Sequence, residues 1–120
     1  MAARFETAFT TLVGCRAPIQ LAVMGGGTGT PELAASVSEA GGLGMISSTF
    51  PLPVNAQLSW VQARTDEPVG VGFFAFDLRT MTKELELAAS SARVVDVFWG
   101  DPDPMVVNRI HAGGALAFCT

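Results

Sequence analysis

Few residues in this chain have types and spacings that could do chemistry. The first candidate is a glycine-rich turn, Gly25-Gly26-Gly27-Thr28-Gly29, directly before a predicted helix. Free backbone N–H groups at a helix start bind anions such as phosphate. A P-loop also needs a lysine, but no Lys or Arg lies between Arg16 and Arg64. Thr30 stands where a dinucleotide fingerprint has its third glycine, and residues 47–49 offer no acid for a ribose. The turn therefore favours neither kind of nucleotide site.

The other polar candidates follow later in the chain. His111 is the only histidine, and it falls at the end of the last predicted helix, away from the carboxyl ends of the strands. We interpret it as a helix-end residue that interacts with the dipole. Asp101 and Asp103 follow a predicted strand, but Asp-Pro-Asp-Pro is typical of a turn and a helix cap. Cys119 is interpreted as a small buried hydrophobe.

Aromatic side chains are a third possibility. Residues 73–76 and Trp99 could stack on a planar ligand, although aromatic strand residues more often belong to the core. The residue types alone thus reveal no nucleophile–base pair and no metal cluster.

The elements that would position these residues alternate regularly. Apolar runs predict strands at Ile19–Met24, Leu43–Ile46, Val69–Phe76, Arg93–Trp99 and Ala115–Cys119. Helical spacing and caps predict helices from Thr30 to Gly41, Val54 to Arg64, Met81 to Ala88 and Asp103 to Gly113. Residues 1–17 carry an apolar stripe and are predicted to close the bottom of the domain. This order implies a parallel sheet with right-handed crossovers.

Length and charge limit the function classes. The chain has 120 residues, 49% of them hydrophobic, which is enough for one domain with strands covered on both faces. A net charge of -4 without a basic cluster argues against nucleic acid and acidic membranes as partners. No apolar run approaches a membrane span, and two cysteines in no disulfide pattern favour a reducing compartment. We therefore expect a cytoplasmic protein.

Two architectures fit this alternation. A flavodoxin-like or Rossmann-like open sheet would be complete at this length, whereas a (β/α)8 barrel typically needs about 250 residues. Length alone favours the open sheet.

The chain also resembles a known family. The run PIQLAVMGGGTGTPELAASVSEAGGLG, Pro18 to Gly44, resembles the amino-terminal region of the nitronate monooxygenases, formerly called 2-nitropropane dioxygenases. That region typically reads P-I-[IV]-x-A-P-M-[GA]-G, then [ST]-P-x-L-A-A-A-V-S-x-A-G-G-L-G. The stretches PVGVGFFAFD and VVDVFWGDPDPMVVNRIHAGGALAFC resemble the family's third-strand pattern P-x-G-V-N and its later V-x-x-F-G-x-P segment. The resemblance covers nearly the whole chain.

This resemblance implies an FMN-dependent α/β fold, a parallel (β/α) TIM-type barrel. Residues 1–120 would be its amino-terminal half, about four and a half of the eight βα units. The implied activity is oxidation of alkyl nitronates or nitroalkanes with oxygen. In the family, the backbone of the A-P-M segment lies beside the flavin ring and the third-strand Asn hydrogen-bonds it. Carried over, the cofactor-binding positions are Ala22, Val23, Met24 and Gly72, with no catalytic residue and no metal ligand.

The chain departs from the family pattern at three positions. Val23 replaces the proline, Gly72 replaces the asparagine, and a fifth-strand glutamine would fall at Thr120. The family's phosphate site and candidate catalytic histidine come after the stretch present here. We therefore expect the chain alone to be inactive, and to act with a chain that completes the barrel. The alternatives are a non-catalytic fragment or split half that acts only by association, and a flavodoxin-like ligand-binding domain. A strand order of 1-2-3-4-5 would favour the barrel, and 2-1-3-4-5 the flavodoxin-like fold.

Overall fold

Helices and strands alternate along the chain, as predicted. A computed structural model describes residues 3–120. The helices are α1 (Ala8–Val13), α2 (Pro31–Glu39), α3 (Val54–Arg64), α4 (Thr82–Ser91) and α5 (Pro104–Gly113). The strands are β1 (Gly44–Ser47), β2 (Val69–Phe74), β3 (Val94–Phe98) and β4 (Leu116–Cys119), and a short 3-10 helix covers Ala75–Arg79. Within residues 3–120, no helix has the length and apolar character needed to cross a membrane.

All the strands are parallel and pair in sequence order, β1-β2-β3-β4. The first predicted strand joins β1 only through an isolated parallel bridge between Gln20 and Leu43. There the Leu21 N–H donates to the Leu43 carbonyl at 2.9 Å, and the Leu43 N–H donates to the Ile19 carbonyl at 2.8 Å. The order 1-2-3-4-5 is therefore confirmed, and the flavodoxin-like order is excluded because β1 lies between the first segment and β2.

Three predicted strand boundaries need correction. The first strand pairs only as far as Leu21, since Ala22 to Met24 lie outside any regular strand. The third ends at Phe74 rather than Phe76, because the chain turns there into the 3-10 helix. The fourth ends at Phe98 rather than Trp99, because a Trp99 φ of 60° breaks the extended backbone.

The outer face of the sheet carries the main hydrophobic core. Thr30 caps α2 by accepting a hydrogen bond from the Leu33 N–H at 3.1 Å, and Pro31 occupies the first turn. Small residues on α2 then let it lie directly on β1, where a Cβ at Gly44 would overlap the Ala34 carbonyl. The core on this face is formed by apolar residues of α2 to α5 and β1 to β3, including Ile46, Leu58, Val71, Phe73, Leu85, Val95 and Ile110.

The inner face is strongly curved. Four adjacent strands of a flat sheet at about 4.8 Å spacing would put the first segment roughly 14 Å from β3. Yet the Gln20 Nε2 lies 3.1 Å from the Asp96 Oδ2 of β3. The two side chains can meet only across a curled sheet, which is the curvature of part of a barrel.

Helix α1 closes the amino-terminal end of this inner face. Val13 and Phe9 pack with Leu43 and Val94, and the Arg93 Nε donates to the Val13 carbonyl at 3.1 Å. This confirms that the lead-in closes the bottom of the domain; Met1 and Ala2 of that prediction lie outside the described residues.

Candidate functional site

The segment Ala22–Met24 leaves the sheet at the carboxyl end of its inner face. Within the described part of the chain, no backbone hydrogen bond uses the N–H groups of Ala22, Val23 or Met24. The turn that follows reverses direction through Gly26 and Gly27, whose φ angles of 65° and 93° favour glycine. The segment thus presents unused backbone donors at the edge where parallel α/β proteins bind ligands.

Val23 lies over Gly72 of β2. A Cβ built on Gly72 would overlap all three side-chain carbons of Val23. The glycine is therefore required by close packing, and the branched Val23 side chain fills the space that a side chain at position 72 would occupy. The two positions that depart from the family pattern, 23 and 72, are therefore in direct contact.

A buried polar cluster lies beside this pair. Asp96 is 2% exposed and points to the inner face, because its neighbours Val95 and Val97 belong to the outer core. The Thr120 hydroxyl donates to its carboxylate, at 2.6 Å from Oδ1 and 2.8 Å from Oδ2, and Gln20 donates to Oδ2. Asp96 is absent from the candidates predicted from the sequence, although an acid in the middle of the apolar run VVDVF signals a special role.

Aromatic rings form the neighbouring wall. The Phe74 ring centroid lies 4.4 Å from that of Phe98 and 5.1 Å from that of Trp99. Trp99 is 73% exposed and Phe76 63% exposed, so the predicted core role is correct for Phe73 but wrong for these two. The left-handed φ of 60° at Trp99 costs about 1–2 kcal/mol. Such strain is concentrated at functional sites.

These groups line an open cavity at the carboxyl end of the sheet. Its volume is about 270 Å³, and it is lined by Gln20, Ala22, Val23, Asp96, Phe98, Trp99 and Thr120. Of the four cofactor positions expected from the resemblance, Ala22 and Val23 line this cavity directly. Met24 continues the segment toward the glycine turn, and Gly72 lies beneath Val23.

The remaining candidates lie elsewhere. His111 is exposed in the last turn of α5, at the opposite end of the sheet, as expected. Asp103 accepts a hydrogen bond from the Met105 N–H at 2.9 Å, which confirms its role as a cap. The prediction that Cys119 is buried is wrong, because its side chain is exposed at the end of β4. Cys15 is the buried cysteine, and this burial raises the pKa of its thiol.

Comparison with known proteins identifies the family. Residues 6–90 match the family model described as nitronate monooxygenase. The chain belongs to the nitronate monooxygenase family. The matched range contains Ala22 to Met24 and Gly72 but ends before Asp96. No curated protein matches the chain with significant similarity.

Solved structures agree with this family and with the barrel. A single-residue mutant of FabK from Thermotoga maritima superposes with a TM-score of 0.81 at 28% identity, over 96% of this chain and 39% of that one. Unmutated FabK from the same organism gives a TM-score of 0.75 at 28% identity, over 96% and 37%. Nitroalkane oxidase from Streptomyces ansochromogenes gives 0.74 at 25% identity, over 94% and 42%.

These matches confirm the predicted fold class, because the structural neighbours are TIM-barrel enzymes and the order of the parallel strands is sequential. The chain spans about two fifths of the length of each neighbour. Monooxygenase and oxidase are both oxidoreductase activities, so the family and this neighbour place the chain among oxidoreductase sequences.

Proposed function

We propose that this chain forms the ring-side part of the FMN site in an oxidoreductase that oxidises alkyl nitronates or nitroalkanes with oxygen. The observation that carries this proposal is the segment Ala22–Met24. It lies within the range matched by the family model, and its backbone donors are unused among residues 3–120.

The residues present fit a flavin ring. The ring carries carbonyl and nitrogen acceptors along one edge, which match the unused N–H groups of Ala22 and Met24. The family pattern has proline at the position of Val23, so the N–H of that residue is not required. Small side chains at Ala22 and in the glycine turn leave the backbone accessible from the cavity.

The chain's own residues would bind and orient the cofactor rather than transfer protons. Bound FMN supplies the electron acceptor for the substrate and returns the electrons to oxygen. Val23, held over Gly72, fixes the height of the ring-side backbone above the sheet. His111 takes no part, because a general base must reach its proton within about 3 Å, directly or through one water, and α5 ends at the far side of the sheet.

The active protein in this proposal contains further βα units, on the same polypeptide or on a second chain. In (β/α)8 barrels the phosphate site is commonly built after strands 7 and 8. Ring contacts alone must offset an association cost of several kcal/mol. We therefore expect FMN to bind the 120-residue chain more weakly than micromolar.

The test is co-expression of this chain with the carboxyl-terminal units of a full-length relative. The expected result is a yellow complex, loaded with flavin, that consumes oxygen with a primary alkyl nitronate. The chain purified alone should be colourless and inactive. A complex that assembles but neither binds flavin nor oxidises nitronates would contradict the proposal, as would nitronate oxidation by the isolated chain.

A further inference from the structure

We propose that Asp96 is a positioning residue for the flavin site: its hydrogen bond with Gln20 fixes where the ring-side segment, Ala22–Met24, leaves the sheet. This role deepens the proposed function and rests on it, because it concerns the same segment. Asp96 lies beyond residues 6–90, the range that the family model matches, so the match assigns it no role.

Side chains, rather than backbone hydrogen bonds, hold this segment against the sheet. The last backbone bond between the sheet and this part of the chain joins the Leu21 N–H to the Leu43 carbonyl at 2.9 Å. Beyond it, the N–H groups of Ala22–Met24 have no backbone partner within residues 3–120. A stretch of this kind has few bonds of its own to oppose local opening. Its position therefore depends on the side chains that flank it.

Asp96 holds the amino-terminal side of the segment. The Gln20 Nε2 donates to the Asp96 Oδ2 at 3.1 Å, and the Thr120 hydroxyl donates to the same carboxylate at 2.6 Å from Oδ1. Hydrogen bonds to an ionised acceptor are roughly twice as strong as neutral ones, and all hydrogen bonds depend on direction. An apolar contact here would permit sliding, whereas the hydrogen bond fixes Gln20, just before the segment, on β3.

The Asp96 bond acts together with the packing of Val23 on Gly72. Gly72 is the register partner of Asp96 on the neighbouring strand β2, and Val23 fills the space of its missing side chain. The chain is therefore attached to three adjacent strands, to β1 through Leu21, to β2 through Val23 and to β3 through Gln20. Without the attachment to β3, the chain would be free to pivot about the Leu21 bond and lift Val23 from Gly72.

The burial of Asp96 allows positioning to be separated from stability. Asp96 is 2% exposed in an apolar strand, whereas Gln20 is half-buried and Thr120 is exposed. Replacing a buried ionised group by a well-packed apolar residue is often neutral or stabilising. In Asp96→Leu the two former donors can turn to water, because neither is fully buried. We therefore expect this variant to fold with little change in stability and yet to release the segment.

NMR of the 120-residue chain without flavin observes the segment directly. NOEs between the Val23 methyls and the Gly72 α-protons report the packing that the segment must keep. We expect Asp96→Leu to abolish these NOEs and to shift the Ala22 amide signal, with an unchanged circular dichroism spectrum. Gln20→Leu breaks the same bond from its other end and should have the same effect, so it decides the question if Asp96→Leu does not fold.

Two matched variants serve as controls. Asp96→Asn keeps an oxygen acceptor in the same place and should retain the NOEs between Val23 and Gly72. Thr120→Val removes the other hydrogen bond of the carboxylate but leaves the bond to Gln20, so it should retain them as well. Loss of the NOEs in either control would assign the effect to the charge or the packing of the whole cluster and overturn the inference. Their retention in a folded Asp96→Leu would overturn it too.

The completed complex tests the consequence for FMN. Ordering a released segment on binding costs affinity, so Asp96→Leu should raise the Kd for FMN about tenfold and Asp96→Asn by no more than about threefold. An unchanged Kd in Asp96→Leu would overturn the positioning role. A wild-type complex that binds no FMN would instead contradict the proposed function, and the NOE comparison, which needs no flavin, would still decide whether Asp96 holds the segment.

Discussion

Substituting alanine at Gly72 tests the coupled packing that sets the ring-side segment. The new Cβ would overlap Val23, whereas in an open strand the same change would remove a flexible glycine and stabilise the fold. Overpacking of this kind costs about 1–3 kcal/mol. We expect Gly72→Ala to lower the free energy of unfolding by about 2 kcal/mol within that range.

The matching change is Val23→Ala. Val23 is half-buried, and removing two methyl groups at about 0.8 kcal/mol each when fully buried gives a loss of about 1 kcal/mol. In the double variant the Cβ at position 72 enters the space that the valine methyls have left. Residues in direct contact show coupling of about 0.5–3 kcal/mol. The double variant should therefore be more stable than the sum of the two losses by about 1–2 kcal/mol.

Urea unfolding followed by circular dichroism measures these differences. With an m-value of about 1–3 kcal/mol/M, Gly72→Ala should lower the midpoint by roughly 1 M. Val61→Ala, a buried change on α3 in the outer-face core, provides the control and should be additive with Gly72→Ala within about 0.5 kcal/mol, because a Cβ at Gly72 faces Val23. Additivity of Val23→Ala with Gly72→Ala would refute the coupling.

Other predictions concern the cysteines and α5. Cys119 should react with a thiol reagent in the folded chain and Cys15 only on unfolding; equal rates in native buffer would contradict their different burial. Burial raises the pKa of the Cys15 thiol. The contribution of Cys15 to the free energy of unfolding is therefore full below about pH 8.5, the unfolded pKa, and is lost as the pH rises through the higher folded pKa. Cys15→Ala should make the free energy of unfolding depend less on pH in this alkaline range, and an unchanged alkaline slope would contradict the prediction. Asp103→Ala removes the cap bond to Met105 and should cost about 1 kcal/mol in urea unfolding, while a change under a few tenths would show the cap to be dispensable. His111→Ala should leave the nitronate oxidation rate of the completed complex nearly unchanged, and abolished turnover would return His111 to the mechanism.

Periodicity and caps in the sequence predicted the elements well. Thr30-Pro31 and Asp103-Pro104 start helices because the cap side chains satisfy free N–H groups locally. The sequential strand order was predicted through the resemblance, since alternation alone also allowed a flavodoxin-like sheet. Local sequence patterns therefore predicted the helices and strands, and the resemblance to the family predicted the order of the strands in the sheet.

The site was harder to predict, because its parts meet only across the curved sheet. Gln20 and Asp96 are 76 positions apart, and nothing local signals that they form a hydrogen bond. The coupling of Val23 with Gly72 depends on the same curvature. Cys119 was predicted to be buried because an apolar strand pattern does not show how exposed the last residue of the strand is.

The most direct test of the account is an NMR titration of the completed complex with FMN, in which only this chain carries 15N. The proposed site predicts that FMN shifts or broadens the backbone amides of Ala22 and Met24, whose N–H groups are unused among residues 3–120. The amide of Trp60 on α3 should not move. Stoichiometric binding of FMN that leaves the Ala22 and Met24 amides unchanged would contradict the claim that this chain forms the ring side of the flavin site.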